Sequence, residues 1–474
     1  MRKTKIVITM GPALMEGDRL WEALKIADVV RLNASHSDCE SRTPVLSKIR
    51  QVLMELGRTV PVFLDLQGPK WRLGLFDTPF EAPTGSVGAF YFADTQPPAG
   101  VPWSAPVPHP ELFLGAKVGQ RWLVDDGALV FEIAEVNDRY VTAKTITGGT
   151  VKQRKGVMPI GLDVQFDPLT KKDLEDIAWG VKENVDLFAQ SFVRQVSDLR
   201  SLEEAIKAAG GNQFIIAKIE HPKALDNLEG ILEASWGVMV ARGDLGVEIG
   251  VEKVPTLQKR IIQMARQNFK PVITATQMLE SMIEHPSPTR AESSDVANAI
   301  WDGTDAVMLS AESAAGKYPL ESIRWLAKIA EDADTNTSSY QANYRQIILS
   351  SERAAQTDVN IALAACNTAK EIGARYIVAF TEGGGIVRMI SHMAGNTPII
   401  AATTSPGIAR RLGVVRNVRT LLTPRAEHMS ELLALATPIL RATFDINPGD
   451  KVVMTIGHPL WTSGTTNTMR VIVF

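Results

Sequence analysis

Short apolar runs alternate with amphipathic stretches along most of the 474 residues. The run KIVIT leads into a Gly-Pro turn, an amphipathic stretch over 18–26 and a second run, ADVVRLN, which predicts a βαβ unit. A longer helical pattern over 39–56 and the strand VPVFLDL follow. From about 71 to 161 the rhythm changes. Pro and Gly crowd APTGSVGAF and TQPPAGVPWSAPVPHP, and alternating runs such as RWLVDDGALVFEIAEV and RYVTAKTI replace helices. This predicts a small β domain inserted into the first unit. The strands VDLFAQSF, FIIAKIE, WGVMVARG, PVITATQ and DAVMLSA then alternate with helices over 168–183, 196–209, 222–229, 255–269, 288–300 and 319–332. With the three earlier strands this makes eight βα units. Apolar strands between helices imply a buried parallel sheet, and eight units imply a closed (β/α)8 TIM barrel, with an open doubly wound sheet as the alternative. The polar stretch TNTSSYQANYRQIILSSERAAQTDVN leads to a C-terminal α/β segment with strands at RYIVAFTE, TPIIAATT, VRTLLT, KVVMTIG and TMRVIVF. The expected domains are a barrel of 1–69 and 162–338, an insert of 70–161 and a C-terminal α/β domain of 339–474.

Composition narrows the class. With 45% hydrophobic and 22% charged residues the chain can bury several cores, and a formal net charge of -3 gives no basic excess to track a phosphate backbone. Nucleic acid is not an expected partner. The two cysteines, Cys39 and Cys366, are far apart and form no metal or disulfide spacing, which fits a reducing, cytoplasmic setting. No apolar run reaches the ~18 residues of a membrane span, and the basic start breaks at Gly-Pro, so neither a membrane span nor a signal peptide is expected.

In a barrel of this kind chemistry sits where the strands end. Those ends deliver Arg31, Asn33, Ser35 and His36, then Asp65, Ser191, Lys218 and Glu220, and finally Arg242, Gly243, Asp244, Thr276, Gln277, Ser310 and Glu312. Lys218 and Glu220 are two apart on one strand and so share a side. Burying both is costly unless they meet an ion or a charged ligand, although a plain ion pair is the competing reading. Glu220 with Asp244 makes a hard oxygen site suited to Mg2+. Gly243 is either a turn glycine or a place where a substrate carboxylate meets backbone N–H groups at a helix start. Arg31, Arg72, Lys155 and Lys218 would add the positive charge that phosphoryl transfer needs.

At these residues the chain resembles the pyruvate kinase family over nearly its full length. The carriers are TKIVITMGPA, VVRLNASHS, LDLQGPKWR, VDDG, GGTVKQRKGV, SFVRQVSDL, AKIEHP, VMVARGDLGVEI, ITATQMLESM, HPSPTRAESSDVANAIWDGTDAVMLSAESAAGKYP and SGTTNT. The resemblance implies a barrel, a small β-barrel lid inserted after its third strand, and an α/β C domain. It implies phosphoryl transfer from phosphoenolpyruvate to ADP, giving pyruvate and ATP, with Mg2+ or Mn2+ as cofactor. By the same resemblance Lys218 and Arg31 meet the phosphoryl group, and Glu220 and Asp244 hold the metal. Gly243, Asp244 and Thr276 take the substrate carboxylate, Asn33, His36, Arg72 and Lys155 lie on the nucleotide side, and Thr276 and Ser310 are candidates for the proton relay. A homotetramer is usual in the family. The competing functions are a phosphoenolpyruvate-binding barrel of the carbon-carbon lyase or mutase class, which needs no nucleotide lid, and a catalytically silent paralogue kept for binding.

Two departures matter. Family members commonly read LDTKGPEIRT where this chain reads LDLQGPKWRL. In potassium-dependent members K+ is held by groups matching Asn33, Ser35, Asp65 and the carbonyl of Leu66, but their glutamate is here Lys70. Two cations ~4 Å apart repel by about 4 kcal/mol at an effective dielectric of ~20. The chain therefore resembles the potassium-independent subgroup, and activity without K+ is expected. The C-terminal loop TEGGGIVR places Glu382 and Gly383 where effector-regulated relatives carry hydroxyls, so activation by fructose 1,6-bisphosphate is not expected, although Thr462, Ser463, Thr465 and Thr466 could serve another anion.

Overall fold

The computed structural model describes residues 2–125, 127–162, 167–336 and 352–474. Eight parallel strands close into a barrel: Lys5–Thr9, Val29–Asn33, Val62–Asp65, Leu187–Gln190, Phe214–Ile219, Gly237–Ala241, Val272–Ala275 and Ala306–Leu309. Each follows its sequence neighbour around the ring, and the last pairs with the first through Lys5 and Ala306. The closed ring excludes the open-sheet alternative.

The strands read as continuous apolar runs because both faces are covered. Ile6, Ile8, Val30, Leu32, Leu64 and Phe188 point outward into a core shared with the surrounding helices. Their neighbours Val7, Val29, Phe63, Leu187, Ile216 and Ile273 point inward and fill the barrel. Fully burying one such side chain contributes ~1.5–3 kcal/mol, and because both rows are apolar it is the polar residues at the strand ends that a one-residue slip would misplace. Moving along the same inward rows to the strand ends, the side chains become Thr9, Arg31, Asp65 and Lys218.

The insert is a six-stranded mixed sheet beside a two-stranded one. Phe90, Trp103, Trp122 and Phe131 form its centre, with Phe90 and Phe131 edge to face at 5.0 Å between centroids. One short helix, Pro110–Gly115, interrupts what the sequence pattern gives as strands only; Pro110 opens it and Leu112 and Phe113 anchor it. The single helix expected over 222–229 is two, Pro222–Asp226 and Leu228–Ala234, broken at Asn227. The Asn227 side chain donates to the carbonyls of Arg194 and Lys223, which fixes the break.

The C-terminal sheet runs Val418–Leu422, Ile399–Thr403, Tyr376–Phe380, Lys451–Gly457, Thr466–Val473, the last antiparallel. This domain docks where the barrel strands begin. Lys5 Nζ donates to Val418 O at 2.7 Å, Asn417 N to Lys3 O at 2.9 Å, and Arg410 Nε to Asp186 Oδ1 at 2.6 Å. The polar stretch expected between barrel and C domain, with the boundary at 338/339, lies largely outside the described residues, as does Asp126 of VDDG. Among the described residues no helix is long and apolar enough to cross a membrane.

Candidate active site

The turn after the third barrel strand is built before it is charged. Gly68 has φ 67°, and a Cβ there would lie 2.9 Å from Ser191 Cβ, so only glycine suits the position. Gly68 N donates to Asp173 Oδ1 at 3.1 Å, and Asp173 is also the third residue of a capping box with Thr170 at the start of helix Lys171–Lys182. One carboxylate thus ties a barrel helix to the base of the insert.

Arg31, Asp65, Lys218 and Glu220 form a buried charge cluster at the barrel mouth. Lys218 Nζ lies 2.8 Å from Glu220 Oε1, 3.2 Å from Asp65 Oδ1 and 2.7 Å from Ser191 Oγ. Ser191 Oγ in turn donates a hydrogen bond to Leu66 O at 2.7 Å. Arg31 reaches Asp65 Oδ2 at 2.7 Å and Thr9 Oγ1 at 3.0 Å. Burial opposes ionisation of Asp65, but Lys218 and Arg31 outweigh it and hold the carboxyl below the usual range. Burial likewise works against the Lys218 ammonium, and Asp65 and Glu220 overcome it, so its pKa is raised. Lys218 is a fixed cation here.

Glu220 is fully buried. Burial and the neighbouring Asp244 carboxylate push its pKa up against the pull of Lys218. Its Oε2 accepts from Phe192 N at 2.8 Å, while its Oε1 is ion-paired with Lys218 at 2.8 Å and keeps a further lone pair. Such an oxygen has capacity for a metal cation, and Asp244 supplies a second, more accessible carboxylate. No cluster of three or more metal-ligating side chains occurs among the described residues. A divalent ion at Glu220 and Asp244 would therefore complete its shell with water and substrate oxygens, the arrangement hard divalent cations take beside phosphate.

Asp244 stands on helix Arg242–Ile249. At its start Gly243 N donates to Thr276 Oγ1 at 2.8 Å, and that hydroxyl donates to Ala275 O at 2.7 Å. Lys70 Nζ lies 3.2 Å from Asp244 Oδ1. Three of the four groups the sequence proposes as a K+ shell are engaged with the protein: Asp65 with Arg31 and Lys218, Leu66 O with Ser191, and Asn33 Oδ1 with Ser35 N at 3.1 Å.

A cavity beside this cluster brings together Arg31, Asn33, His36, Thr276 and Ser310. Ser310 N donates to Glu312 Oε2 at 2.7 Å, and Leu279 N reaches the other oxygen of that buried carboxylate at 3.2 Å. Arg72 and Lys155 do not line the cavity and sit instead at the base of the insert. Arg72 Nη1 donates to Arg154 O at 3.1 Å, and Lys155 pairs with Asp125 at 2.7 Å. Burial, then the charges of Arg31, Arg72 and Lys70, lower the His36 pKa, so all three cations are felt across the cleft. Thr9 and Ser191 were not singled out from the sequence for a role, although each carries the same signal, a polar residue ending an apolar strand.

Comparison with known proteins agrees with this geometry. The pyruvate kinase barrel domain model matches residues 1–323 and the pyruvate kinase alpha/beta domain model residues 359–472. A pyruvate kinase of Agrobacterium vitis is 39% identical over 99% of this chain and 98% of its own length. One of Geobacillus stearothermophilus is 38% identical over 99% of this chain and 80% of its own. The crystal structure of a pyruvate kinase from Cryptosporidium parvum superposes with a TM-score of 0.91 at 32% identity, covering 100% of this chain and 96% of the other. With both domains matched, and with the barrel carrying a charged mouth beneath an inserted domain, the chain belongs to the pyruvate kinase family.

Proposed function

We propose that this chain transfers the phosphoryl group of phosphoenolpyruvate to ADP with Mg2+ as cofactor, that it does so without K+, and that it works as a cytoplasmic homotetramer. The observation that carries the reading is the cluster of Lys218 with Asp65, Glu220 and Ser191, placed beside Arg31 and Asp244. Lys218 and Arg31 meet the transferring phosphoryl group as fixed cations, set in place before the reaction. Because its neighbours raise its pKa, Lys218 holds its proton at neutral pH and supports charge rather than donating to the enolate. Thr276 and Ser310 face the same cavity and are our candidates for relaying that proton through water. Asp244 N would receive the substrate carboxylate at the helix start, joined by Gly243 N and the Thr276 hydroxyl as these exchange their bonds to each other and to Ala275 O for the ligand. Asn33, His36, Arg72 and Lys155 take the nucleotide side, and the insert closes over it to exclude water. Mg2+ held by Glu220 and Asp244 would supply charge neutralisation at the phosphoryl oxygens.

Independence from K+ is supported by the Lys70 ammonium in this cleft, which pairs with the metal-side carboxylate of Asp244, itself no member of the K+ shell, and by the protein partners already held by Asp65, Leu66 and Asn33. The C-domain cavity is lined by Asp358 and Glu382 together with Thr462 and Ser463, which favours no bisphosphate. Steady-state pyruvate formation with Mg2+ tests the reading. Rates in potassium-free and ammonium-free buffer should equal those with K+, and Lys70→Glu should slow the reaction until K+ is added. A wild-type rate that collapses without K+ would sink the K+ part, and no ADP-dependent pyruvate would sink the whole.

A further inference from the structure

Thr276 and Gln277 follow the seventh barrel strand with φ values of 67° and 54°. Two consecutive non-glycine residues in the left-handed region persist only where the surroundings hold them. One side chain holds the carbonyls of both, beside the bonds of the Thr276 hydroxyl to Gly243 N and Ala275 O. Arg242 donates to the Thr276 carbonyl from Nε at 3.2 Å and from Nη2 at 2.8 Å, and from Nη2 to the Gln277 carbonyl at 3.1 Å. Its Nη1 is fixed by both oxygens of Asp295, at 2.8 and 2.6 Å, with Gln258 Oε1 at 3.4 Å. The side chain is 8% exposed, and its planar fork fits these separate acceptors as a single ammonium could not.

The backbone of Arg242 opens the helix that carries Gly243 and Asp244, and Gly243 N is bonded to the Thr276 hydroxyl. The residue therefore closes a small ring. Its main chain leads into one half of the anion-receiving corner, and its side chain holds the carbonyl of the other half. We propose that Arg242 is a positioning residue that sets Thr276 against the helix start and so fixes the geometry in which the substrate carboxylate is received. This rests on the reading that the carboxylate of phosphoenolpyruvate binds at Gly243, Asp244 and Thr276. An anion site displaced by about 1 Å loses on the order of a hundredfold in rate, so a residue acting only through others can be costly to change.

Arg242→Lys keeps the charge and loses the fork. The expected result is a KM for phosphoenolpyruvate raised about tenfold or more, a KM for ADP within about twofold of wild type, and a nearly unchanged Tm. A rise in both KM values together, or a fall in Tm with both KM values unchanged, overturns the proposal. Should Arg242→Lys fail to fold, Asp295→Asn serves, because Asp295 is 41% exposed and Arg242 keeps its carbonyl contacts. It should show the same one-sided rise on a smaller scale, and unchanged KM values would count against the idea. A crystal structure of Arg242→Lys, or of Asp295→Asn where that variant stands in, gives a readout independent of activity. Thr276 leaving the left-handed region supports the positioning role, and Thr276 and Gln277 unchanged refutes it, whether or not the reaction is the one proposed.

Discussion

Glu248 lies one turn beyond Asp244 on the same helix, facing a cleft between insert and barrel that Lys70, Phe192 and Met158 also line. Burial, and then repulsion from Asp244, push its carboxyl up to about 7. The pKa of an unperturbed glutamate is ~4.3, so the folded chain binds this proton more tightly than the unfolded chain. The stability linked to it is fully present below ~4.3 and is lost as pH rises through about 7. Glu248→Gln removes the titration. In metal-free buffer its Tm should exceed that of wild type at pH 8, and the gap should shrink toward pH 5. Thermal melts across that range check this, and a gap independent of pH would show that the carboxyl is not held up by its surroundings. Lys218 differs because its carboxylate partners are within ion-pair distance, so the cluster favours its charged form.

Close packing between elements sets a second constraint on the cleft. Gly11 follows the first barrel strand, and a Cβ there would lie 2.3 Å from Ala314 O, on the short helix Ala311–Ala314 that begins after Ser310. That atom is backbone, so one element must shift. Gly11→Ala should lower the free energy of unfolding by ~1–3 kcal/mol, the usual cost of overpacking. Gly11 lines the same cavity as Asn33 and His36 of the nucleotide side, so the KM for ADP should rise as well. Urea titration with steady-state kinetics measures both, and a variant indistinguishable from wild type would mean that the two elements are not wedged together. The barrel strands were legible because their inward and outward rows are both apolar, and the polar residues that end them marked the site. Arg242 was visible at a strand end but its role was not. That role depends on the left-handed backbone of Thr276 and Gln277, which neither residue type signals, whereas Gly68 advertises its own turn. The shift of Glu248 depends on depth in the cleft, which spacing along a chain does not encode. Lys70 was legible as a departure in charge, and its contact with Asp244, on a different strand end, was not.

The assembled chain places its chemistry and its C-terminal domain at opposite ends of one barrel. Substrate-facing groups stand where the strands end, and the C domain grips where they begin, an arrangement in which changes at the far face read as stability. Asp334, near the end of helix Pro319–Thr335 and 1% exposed, is central to that grip. It accepts from Lys3 N at 2.6 Å, Thr4 N at 2.8 Å and Thr4 Oγ1 at 2.9 Å, all from the barrel's first residues. It also accepts from Arg416 Nη2 at 2.6 Å, on the C-domain side. Arg416 N donates in turn to Asp305 Oδ1 at 3.0 Å, just before the last barrel strand. Replacing Asp334 with alanine takes the carboxylate from a buried guanidinium and from two backbone donors at once. Removing one partner of a buried pair typically costs ~3–5 kcal/mol, far more than a surface pair is worth. Asp334→Ala should lose about that much in denaturant unfolding, while the folded fraction keeps wild-type KM values for phosphoenolpyruvate and ADP, because no group of the site touches the network. A loss below ~1 kcal/mol would contradict the burial argument. A changed KM without lost stability would mean that the C domain reaches the active site through the barrel by more than holding it together.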